Sequence, residues 1–528
     1  MEKMAHFFSL KTSGKIRLTR EHLPILSILL IGLFLRIYKI RDYVIFLGDE
    51  GRDVLVVYNI LHGDLTLLGP TSSVGGFFLG PIYYYFMAPF LWLSKYDPVG
   101  PSVMVALFGV ATIYLVYKLG SEFFGRYAGL TASFLYAISP IVIIYSRSSW
   151  NPNVFPFFTL ATLYALYKAV SKNKIWLFIL SGFLMGINLQ IHYLATFIGV
   201  IMFSYVLFVQ FEPTLKWLSK TLKRYLYLAI GFVIGFSPFI LFEVRHGFLN
   251  TQNIIKFILT SEETGGGKVG ENIFFVFERL FGGLIIHLPR SVEAAMYDRN
   301  IVQLWIDASF ILGFLAVGFF LVRFFRNKYN KEEFNKNLLI FLWGFIGIGL
   351  FALYKKPIYD YYLGFLFPLP FFLIGMFFSD ITEKFRTYGR AFVGVLMVVF
   401  ILINFKFTPI VMARNNQIDQ VKGIAHFVLD KTQGRPFNFA IAGAGNSDHA
   451  YRYFFKLANQ EPVIIKGISE DPERESVTDQ LFVICETFPC SPLGESSNDV
   501  AGFGRGEIVD EWDVSVIKVY KLEHYTEE

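Results

Sequence analysis

The sequence predicts an α-helical polytopic membrane protein with about eleven transmembrane helices, further interfacial helices and a small C-terminal α/β domain outside the cytoplasm. Apolar residues make up 54% of the 528 residues and charged residues only 17%, against about 25% charged in ordinary soluble domains. The apolar residues gather in runs of about 20, the length at which a helix crosses a bilayer. These runs end near residue 409, and the polar tail that follows has the pattern of a soluble α/β unit.

The predicted transmembrane region occupies residues 1–411. The first apolar run is preceded by a basic, polar segment, and no small-residue cleavage site follows it, so we predict an uncleaved first span. The apolar stretch 80–94 is short, follows a Gly/Pro-rich segment and contains three consecutive tyrosines, which favours an interfacial or re-entrant helix. The candidate spans are 23–40, 99–118, 127–145, 154–170, 175–191, 194–211, 225–243, 303–322, 337–354, 361–379 and 390–409.

Loop charge predicts the sidedness of these spans. If 80–94 does not cross, the lysines and arginines of the N-terminus and of most loops fall on one side, which the positive-inside rule assigns to the cytoplasm. Lys39 and Arg41 are exceptions at the outer end of the first span. We therefore expect a multi-pass plasma-membrane protein with a cytoplasmic N-terminus. The segments expected outside are 41–98, 147–153, 245–300, 354–360 and the C-terminal domain, 412–528.

The C-terminal domain is predicted to alternate helices and strands. Its turn 443–445 follows a predicted strand, but the full nucleotide-binding fingerprint is absent, so an ordinary tight turn is the stronger interpretation. Cys485 and Cys490 are either two unremarkable thiols or, outside the cytoplasm, a short-loop disulfide. A metal site would need more ligands. The predicted helices are 416–431 and 446–457, and the predicted strands are 437–442, 463–466, 481–486 and 514–522.

The first outer segment carries the most informative residues. Asp49, Glu50, Arg52 and Asp53 follow the first span directly, and an amphipathic run, 54–61, would hold them at the membrane surface. A carboxylate here could act as a general base or help to bind a divalent cation. The fork of Arg52 matches phosphate oxygens. The alternative is a solvated loop with a helix cap.

Cations also occur at the other outer helix ends. Arg147 lies beside Tyr145 and Trp150, where it is either a membrane anchor or an anion contact. Arg245 follows Glu243, with which it could pair, and precedes His246.

Lys355 and Lys356 lie on the predicted outer face, against the positive-inside trend, and an anionic ligand such as a lipid phosphate would explain them. Tyr359 and Tyr361 follow closely and could donate hydrogen bonds or belong to the aromatic belt.

At these residues the sequence resembles the GT-C superfamily of membrane glycosyltransferases, in particular the bacterial branch related to protein O-mannosyltransferases and the lipid A aminoarabinose transferase. The resemblance concerns the order of elements over about 23–410. The motifs that carry it are Asp49-Glu50-Gly51-Arg52, Gly80-Pro81-Ile82-Tyr83-Tyr84-Tyr85, Tyr145-Ser146-Arg147, and Lys356-Pro357 with Tyr359 and Tyr361. One departure is Gly80, where the aminoarabinose transferases carry a lysine.

The resemblance implies transfer of a sugar from a polyprenyl-phosphate donor to a lipid, glycan or protein acceptor on the extracytoplasmic face. It implies that Asp49 activates or orients the acceptor, that Glu50 assists, and that Arg52 lies near the phosphate. The other expected phosphate contacts are Arg147, Arg245, Lys355 and Lys356. The expected substrate contacts are Tyr83, Tyr84, His246, Tyr359 and Tyr361.

Two other functional classes stay open. A transporter or flippase for a lipid-linked glycan would place ionisable groups near mid-membrane, whereas the charges here cluster at one face. A non-catalytic assembly protein would need no acidic cluster beside the first helix. The expected partners are the lipid bilayer, the lipid-linked donor and an unidentified acceptor, with no nucleic acid. No cofactor is certain, and a divalent cation is left open.

Overall fold

The computed structural model describes residues 20–72, 76–260, 269–287, 299–442, 446–495 and 498–526. The helical region begins with α1 (Leu23–Ile37), a short turn of helix, α2 (Ile40–Tyr43), and then α3 (Gly48–Leu61), which contains the acidic motif. Its continuation is α4 (Ile82–Leu93), α5 (Val99–Phe124), α6 (Arg126–Ile138), α7 (Pro140–Tyr145), α8 (Phe155–Lys172), α9 (Ile175–Ile191) and α10 (Ala195–Phe208).

The second half of the helical region contains two bends. The helices are α11 (Leu215–Gly235), α12 (Ser237–Arg245), α13 (Leu249–Thr260), α14 (Val269–Glu278), α15 (Arg299–Arg326), α16 (Lys331–Gly349) and α17 (Pro368–Phe405). A bend of 70° separates α11 from α12. Arg386 interrupts α17 with a left-handed φ of 44°, and a side chain at Gly389 would meet the Ile381 carbonyl. The chain therefore folds back here, between the predicted spans 361–379 and 390–409.

Within the described residues, five helical segments are long and apolar enough to cross a membrane, or six if the bent pair α11 and α12 forms one span. The five are Val99–Phe124, Asn151–Lys172, Asn300–Arg326, Lys331–Leu353 and Pro368–Phe405, and α4, α9 and α10 are shorter apolar helices. The structure thus has several candidate spans, while the predicted count of eleven stays a prediction. The stretch 80–94 is helical, as α4, and its failure to span also stays a prediction.

The C-terminal part contains a small mixed sheet in the order β1-β2-β4-β3. Strand β1 (Asn438–Ala442) pairs in parallel with β2 (Gln480–Cys485), and β4 (Ile517–His524) pairs antiparallel with both β2 and β3 (Gly506–Val514). The helices are α18 (Gln417–Thr432), α19 (His449–Leu457) and α20 (Asn498–Phe503). The predicted α/β character is therefore confirmed.

Three details of the C-terminal domain differ from the predictions or complete them. The predicted strand 463–466 is wrong, because the segment is irregular and is held to the start of β1 by the bond from the Val463 amide to the Phe437 carbonyl, 2.9 Å. Strand β3 was not predicted. The open question about the cysteines is answered, since Cys485 and Cys490 form a disulfide. The turn 443–445 lies outside the described residues.

The C-terminal domain is fastened to the first outer segment through its linker. The Asn415 and Asn416 amides donate to the Asp42 carbonyl at 3.1 and 3.0 Å. The Asp42 carboxylate pairs with Arg414 at 3.2 Å, and Arg41 pairs with Asp419 at 2.6 Å. The linker therefore lies alongside residues 41–46, which brings the domain next to α3.

Candidate active site

Helix α3 begins immediately before the acidic motif, and its own side chains fix that start. The Leu47 amide donates to Glu50 Oε2 at 3.1 Å, which caps the first turn. Asp49 and Glu50 both lie in that turn, where the helix dipole favours negative charge. The amphipathic pattern predicted for 54–61 is confirmed, since Val54 and Val57 are buried along one face. Asp49 is thus presented by a helix N-terminus rather than by a flexible loop.

Arg52 bridges the two aspartates of the motif. Its Nη1 lies 2.8 Å from Asp49 Oδ1, and its Nη2 lies 2.7 Å from Asp53 Oδ1. Asp53 is fully buried and also accepts a hydrogen bond from the Tyr84 hydroxyl at 3.3 Å. The Asp49 side chain is 54% exposed. The cluster therefore has a buried anchor, Asp53, and a solvent-facing carboxylate, Asp49, held in place by one guanidinium.

Burial raises the pKa of two of these carboxyls. The pKa of Glu50 rises to about 7, chiefly through desolvation. The pKa of Asp53 rises to about 6, again chiefly because burial outweighs the opposing effect of Arg52. Near neutral pH these two groups are close to their titration range, which is common at functional sites.

Asp49 and Trp150 lie between two cavities and contribute to the lining of both. The larger cavity has a volume of about 560 Å³. The smaller has about 70 Å³. The larger is lined by Ile45, Leu47, Gly48, Asp49, Glu50, Ile144, Tyr145, Ser148, Trp150, Asn153, Asn446 and Ser447. The smaller is lined by Asp49, Arg52, Pro70, Thr71, Ser72, Leu79, Trp150, Asn151, Pro152, His192, Tyr193 and Tyr361.

Several of the sequence-predicted residues meet at this junction. Tyr361 lines the smaller cavity, and its ring centroid lies 4.5 Å from that of Trp150. Tyr84 contacts Asp53, as described. Tyr83 is fully buried beneath the site, with its hydroxyl 2.9 Å from Ser149 Oγ. Tyr359 is exposed and stacks on Tyr361 at 5.8 Å. Glu50 lines the larger cavity but uses one oxygen for the helix cap.

The predicted cation Arg147 is engaged elsewhere. Its guanidinium donates to the carbonyls of Leu35 at 2.7 Å, Arg36 at 3.1 Å and Tyr38 at 2.8 Å, and the residue is 3% exposed. These are the carbonyls that the end of α1 leaves without helical partners. The geometry thus favours a structural role for Arg147, and its predicted contact with a donor phosphate gains no support.

Four further predicted residues, all exposed, line neither cavity: Arg245, His246, Lys355 and Lys356. His246 contacts its own helix, with Nδ1 2.9 Å from the Phe242 carbonyl. Glu243 accepts from the Asn250 and Thr251 amides at 3.2 and 2.8 Å, at the start of α13. Substrate contacts by these four residues stay predictions.

The structure adds residues that the sequence did not indicate. His192 and Tyr193 lie in the short turn between α9 and α10 and line the smaller cavity. Burial lowers the pKa of His192 to about 3, so its imidazole is neutral. A His-Tyr pair in the outer turn between two predicted spans was a signal that could have revealed them. Asn446 and Ser447 come from the C-terminal domain, and no local sequence pattern links them to Asp49.

A second ion pair lies close to Tyr361 in the chain. Arg279 donates to both carboxylate oxygens of Asp360, each at 2.8 Å, and both side chains are 10% exposed. Arg279 lies in a π-helical turn, Arg279–Gly283, directly after α14. This bidentate pair fixes the start of the segment that contains Tyr361.

The described residues contain no group of three or more His, Cys, Asp or Glu side chains placed to hold a metal ion. The two aspartates of the cluster already share Arg52, so this donor set does not fit a divalent cation.

The resemblance to the GT-C membrane glycosyltransferases that the sequence predicted is confirmed by comparison with known proteins. Residues 79–242, less than a third of the chain, match the family model "Dolichyl-phosphate-mannose-protein mannosyltransferase". The chain is also 25% identical over 182 residues to "Putative mannosyltransferase YkcB" of Bacillus subtilis (strain 168). That alignment covers 32% of this chain and a quarter, 25%, of the relative.

Two solved structures share the fold. ArnT from Cupriavidus metallidurans bound to undecaprenyl phosphate matches with a TM-score of 0.62 and 12% identity, over 94% of this chain and 97% of that one. The oligosaccharyltransferase AglB from Archaeoglobus fulgidus, in complex with an inhibitory peptide and a dolichol-phosphate, matches with a TM-score of 0.52 and 13% identity. That match covers 88% of this chain and 69% of AglB.

Proposed function

We propose that this protein is a glycosyltransferase that moves a sugar from a polyprenyl-phosphate-linked donor to an acceptor hydroxyl on the extracytoplasmic face of the plasma membrane. The observation that carries the proposal is the position of Asp49. Its exposed carboxylate, held by Arg52, lies between a larger cavity and a smaller one. A transferase needs such a group between acceptor and donor, because the acceptor hydroxyl must lose its proton as the sugar bond forms.

The proposed reaction is a single displacement. The acceptor occupies the larger cavity, and its hydroxyl oxygen attacks the anomeric carbon of the donor sugar. As that bond forms, Asp49 takes the hydroxyl proton, and the bond between the anomeric carbon and the phosphate oxygen breaks. The polyprenyl phosphate leaves with the bonding electrons. Because the hydroxyl oxygen attacks the face of the anomeric carbon opposite the departing phosphate, the anomeric configuration is inverted.

Arg52 has two roles in this mechanism. Its ion pair with Asp49 fixes the base, while its bond to the buried Asp53 fixes Arg52 itself. It also lines the smaller cavity, where positive charge would stabilise the departing phosphate. Tyr361, His192 and Tyr193 supply further polar groups on this side. Lys355 and Lys356 are proposed to contact the lipid phosphate nearer the bilayer.

The proposed sidedness rests on three supports. The basic loops predict that the first outer segment faces away from the cytoplasm. The linker after α17 packs on that same segment, so the C-terminal domain shares its side of the helical region. The Cys485–Cys490 disulfide suits an oxidising compartment. Nucleotide sugars are cytoplasmic, and a lipid-linked donor therefore fits the proposed face.

The lipid carrier is supported by the matched structures. One is described as bound to undecaprenyl phosphate and the other as a complex with a dolichol-phosphate. These ligands belong to ArnT and AglB, and the same kind of carrier is proposed for this chain by analogy of fold.

The direct test supplies membranes containing the full-length protein with undecaprenyl-phosphate hexoses labelled in the sugar. Loss of label from the lipid fraction, above that of membranes lacking the protein, is expected for at least one hexose. Matched membranes without a lipid carrier receive the corresponding nucleotide sugar and are expected to show no turnover. Turnover of the nucleotide sugar alone would contradict the proposed donor. A reporter that is active only outside the cytoplasm, fused after Glu528, checks the topology.

A further inference from the structure

The larger cavity is built by two distant parts of the chain, the first outer segment and the C-terminal domain. We infer that Asn446 and Ser447 of the C-terminal domain complete the acceptor-binding site, and that the acceptor group bound there is a carbohydrate. The inference rests on the proposed function, because only a transferase has an acceptor site.

Helix α19 approaches α3 so closely that only glycine fits at position 51 of α3. A Cβ atom at Gly51 would lie 2.2 Å from the Ala450 amide nitrogen and 2.4 Å from its Cα. A Cβ at Gly48 would lie 2.1 Å from Ser447 Oγ. Backbone packing of this kind sets the domain in a defined position beside Asp49. The residues of the C-terminal domain that line the larger cavity are therefore held in a fixed position as part of the site.

Asn446 and Ser447 are held in fixed orientations at this wall. Asn446 Oδ1 accepts from the amides of Gly48 and Ser447, both at 2.9 Å, and its Nδ2 donates to Glu486 Oε2 at 2.8 Å. Ser447 Oγ lies 2.7 Å from His449 Nδ1. Glu486 also accepts from the Tyr451 hydroxyl at 2.8 Å, and so acts as a positioning residue for Asn446.

These bonds leave hydrogen-bonding capacity for a ligand. An amide nitrogen has two N–H donors, and Asn446 Nδ2 uses one of them in its bond to Glu486. A hydroxyl oxygen has two lone pairs in addition to its proton, and Ser447 makes one bond to the His449 ring. The cavity wall thus offers a donor and an acceptor close to the helix turn that presents Asp49.

The composition of the lining identifies the ligand class. The Trp150 indole gives a flat apolar surface, on which the C–H face of a sugar ring can pack. Asp49, Asn446 and Ser447 give short, fixed polar groups that match several neighbouring hydroxyls. With a volume of about 560 Å³, the cavity falls within the range of small-molecule sites. Because it combines an aromatic surface with several groups that can bond to hydroxyls, the cavity suits the end of a glycan.

The test measures binding of methyl glycosides to the full-length protein in lipid nanodiscs. The probes are methyl mannoside, methyl glucoside and methyl N-acetylglucosaminide, followed by saturation-transfer NMR, and N-acetylserine methylamide serves as the peptide probe. The test variants are Asn446→Ala and Ser447→Ala. The matched controls are Gln460→Ala and Ser469→Ala, which remove the same chemical groups from exposed positions of the same domain.

We expect at least one glycoside to bind the wild-type protein, and Asn446→Ala and Ser447→Ala each to weaken its binding by up to about tenfold, the effect of one lost hydrogen bond. The controls should bind like the wild type. Equal binding by test and control variants would overturn the inference, as would binding of the peptide probe alone or of no probe.

Failure of the inference is distinguishable from failure of the proposed function. Consumption of a lipid-linked sugar without glycoside binding would refute the carbohydrate acceptor and leave the transferase standing. Glycoside binding that depends on Asn446, without any consumption of lipid-linked sugar, would refute the transferase and leave a carbohydrate site.

Discussion

Because α3 and α19 are in close contact at Gly51, we predict that Gly51→Ala destabilises the protein. The added Cβ would lie 2.2 Å from the Ala450 nitrogen, whereas ordinary contacts begin near 3.4 Å, so α19 must retreat by about 1.2 Å. The clashing atoms are backbone, which cannot rotate away. Overpacking of this kind typically costs about 1–3 kcal/mol. Alanine gains up to about 1 kcal/mol over glycine within a helix, so the net loss should be smaller than the clash alone.

Gly423→Ala is the matched control, because Gly423 lies on α18 with nothing within 4 Å of its would-be Cβ. We expect it to leave the midpoint of thermal unfolding unchanged or slightly raised, and Gly51→Ala to lower it. Gly51→Ala should also speed proteolysis of the linker, 412–416, and reduce transfer, since a displacement of about 1 Å in a catalytic site can reduce the rate about 10²-fold. If both variants were equally stable and active, the domain would not be packed on α3 as described.

Three further outcomes follow from individual contacts. Burial raises the pKa of Glu50 from 4.5 to about 7, so the contribution of Glu50 to stability is present below about pH 4.5 and is lost as the pH rises through 7. Glu50→Gln can keep the hydrogen bond that caps α3 and should flatten the fall in melting temperature between pH 5 and 8. An unchanged slope would refute this. Arg279→Met removes the bidentate ion pair of Asp360, whose side chain is 10% exposed, and should destabilise the protein by about 3–5 kcal/mol. Adding Asp360→Leu should restore stability, and a harmless single variant would show that the pair is absent. Cys485→Ser opens a disulfide of sequence separation 5 and should destabilise the C-terminal domain by about 2 kcal/mol; labelling of both thiols in the unreduced protein would contradict the disulfide.

Much of the fold was predictable because the apolar runs of a membrane protein are long and the tail differs from them in composition. The helix over 416–431 and the strands 437–442 and 481–486 were predicted to within about one residue of α18, β1 and β2. Strand β3 was not predicted because six of its nine residues are exposed and four are acidic, so it lacks the apolar alternation of a half-buried strand. The predicted strand 463–466 fails because its apolar residues are partly exposed and only Val463 bonds to the chain around the start of β1, through the Phe437 carbonyl and the Asn438 side chain.

The candidate site was predictable only where its residues are local in sequence. The motif from Asp49 to Asp53 lies on one helix turn, so its association could be anticipated. The role of Arg147 cannot be assigned from its local sequence, because a buried cation on helix carbonyls has the same local sequence as a phosphate ligand. Arg41, which the sequence predicts to be an exception to the positive-inside rule, forms ion pairs with Asp97 and Asp419 that would account for its position. The contribution of the C-terminal domain depends on tertiary packing between residues about 400 positions apart, which no local pattern encodes.

The most direct test of the central claim is the transfer rate of Asp49→Asn with a lipid-linked sugar, compared with Asp64→Asn, an exposed position just beyond α3. Asparagine retains the shape of the side chain but cannot take a proton, so we expect the rate to fall by about 10²–10⁴-fold. The melting temperature should change little, since the lost ion pair to Arg52 is partly exposed and worth at most about 1 kcal/mol. Asp64→Asn should transfer sugar at the wild-type rate. Near-normal transfer by Asp49→Asn, or a loss of activity matched by loss of folded protein, would contradict the role of Asp49 as the general base.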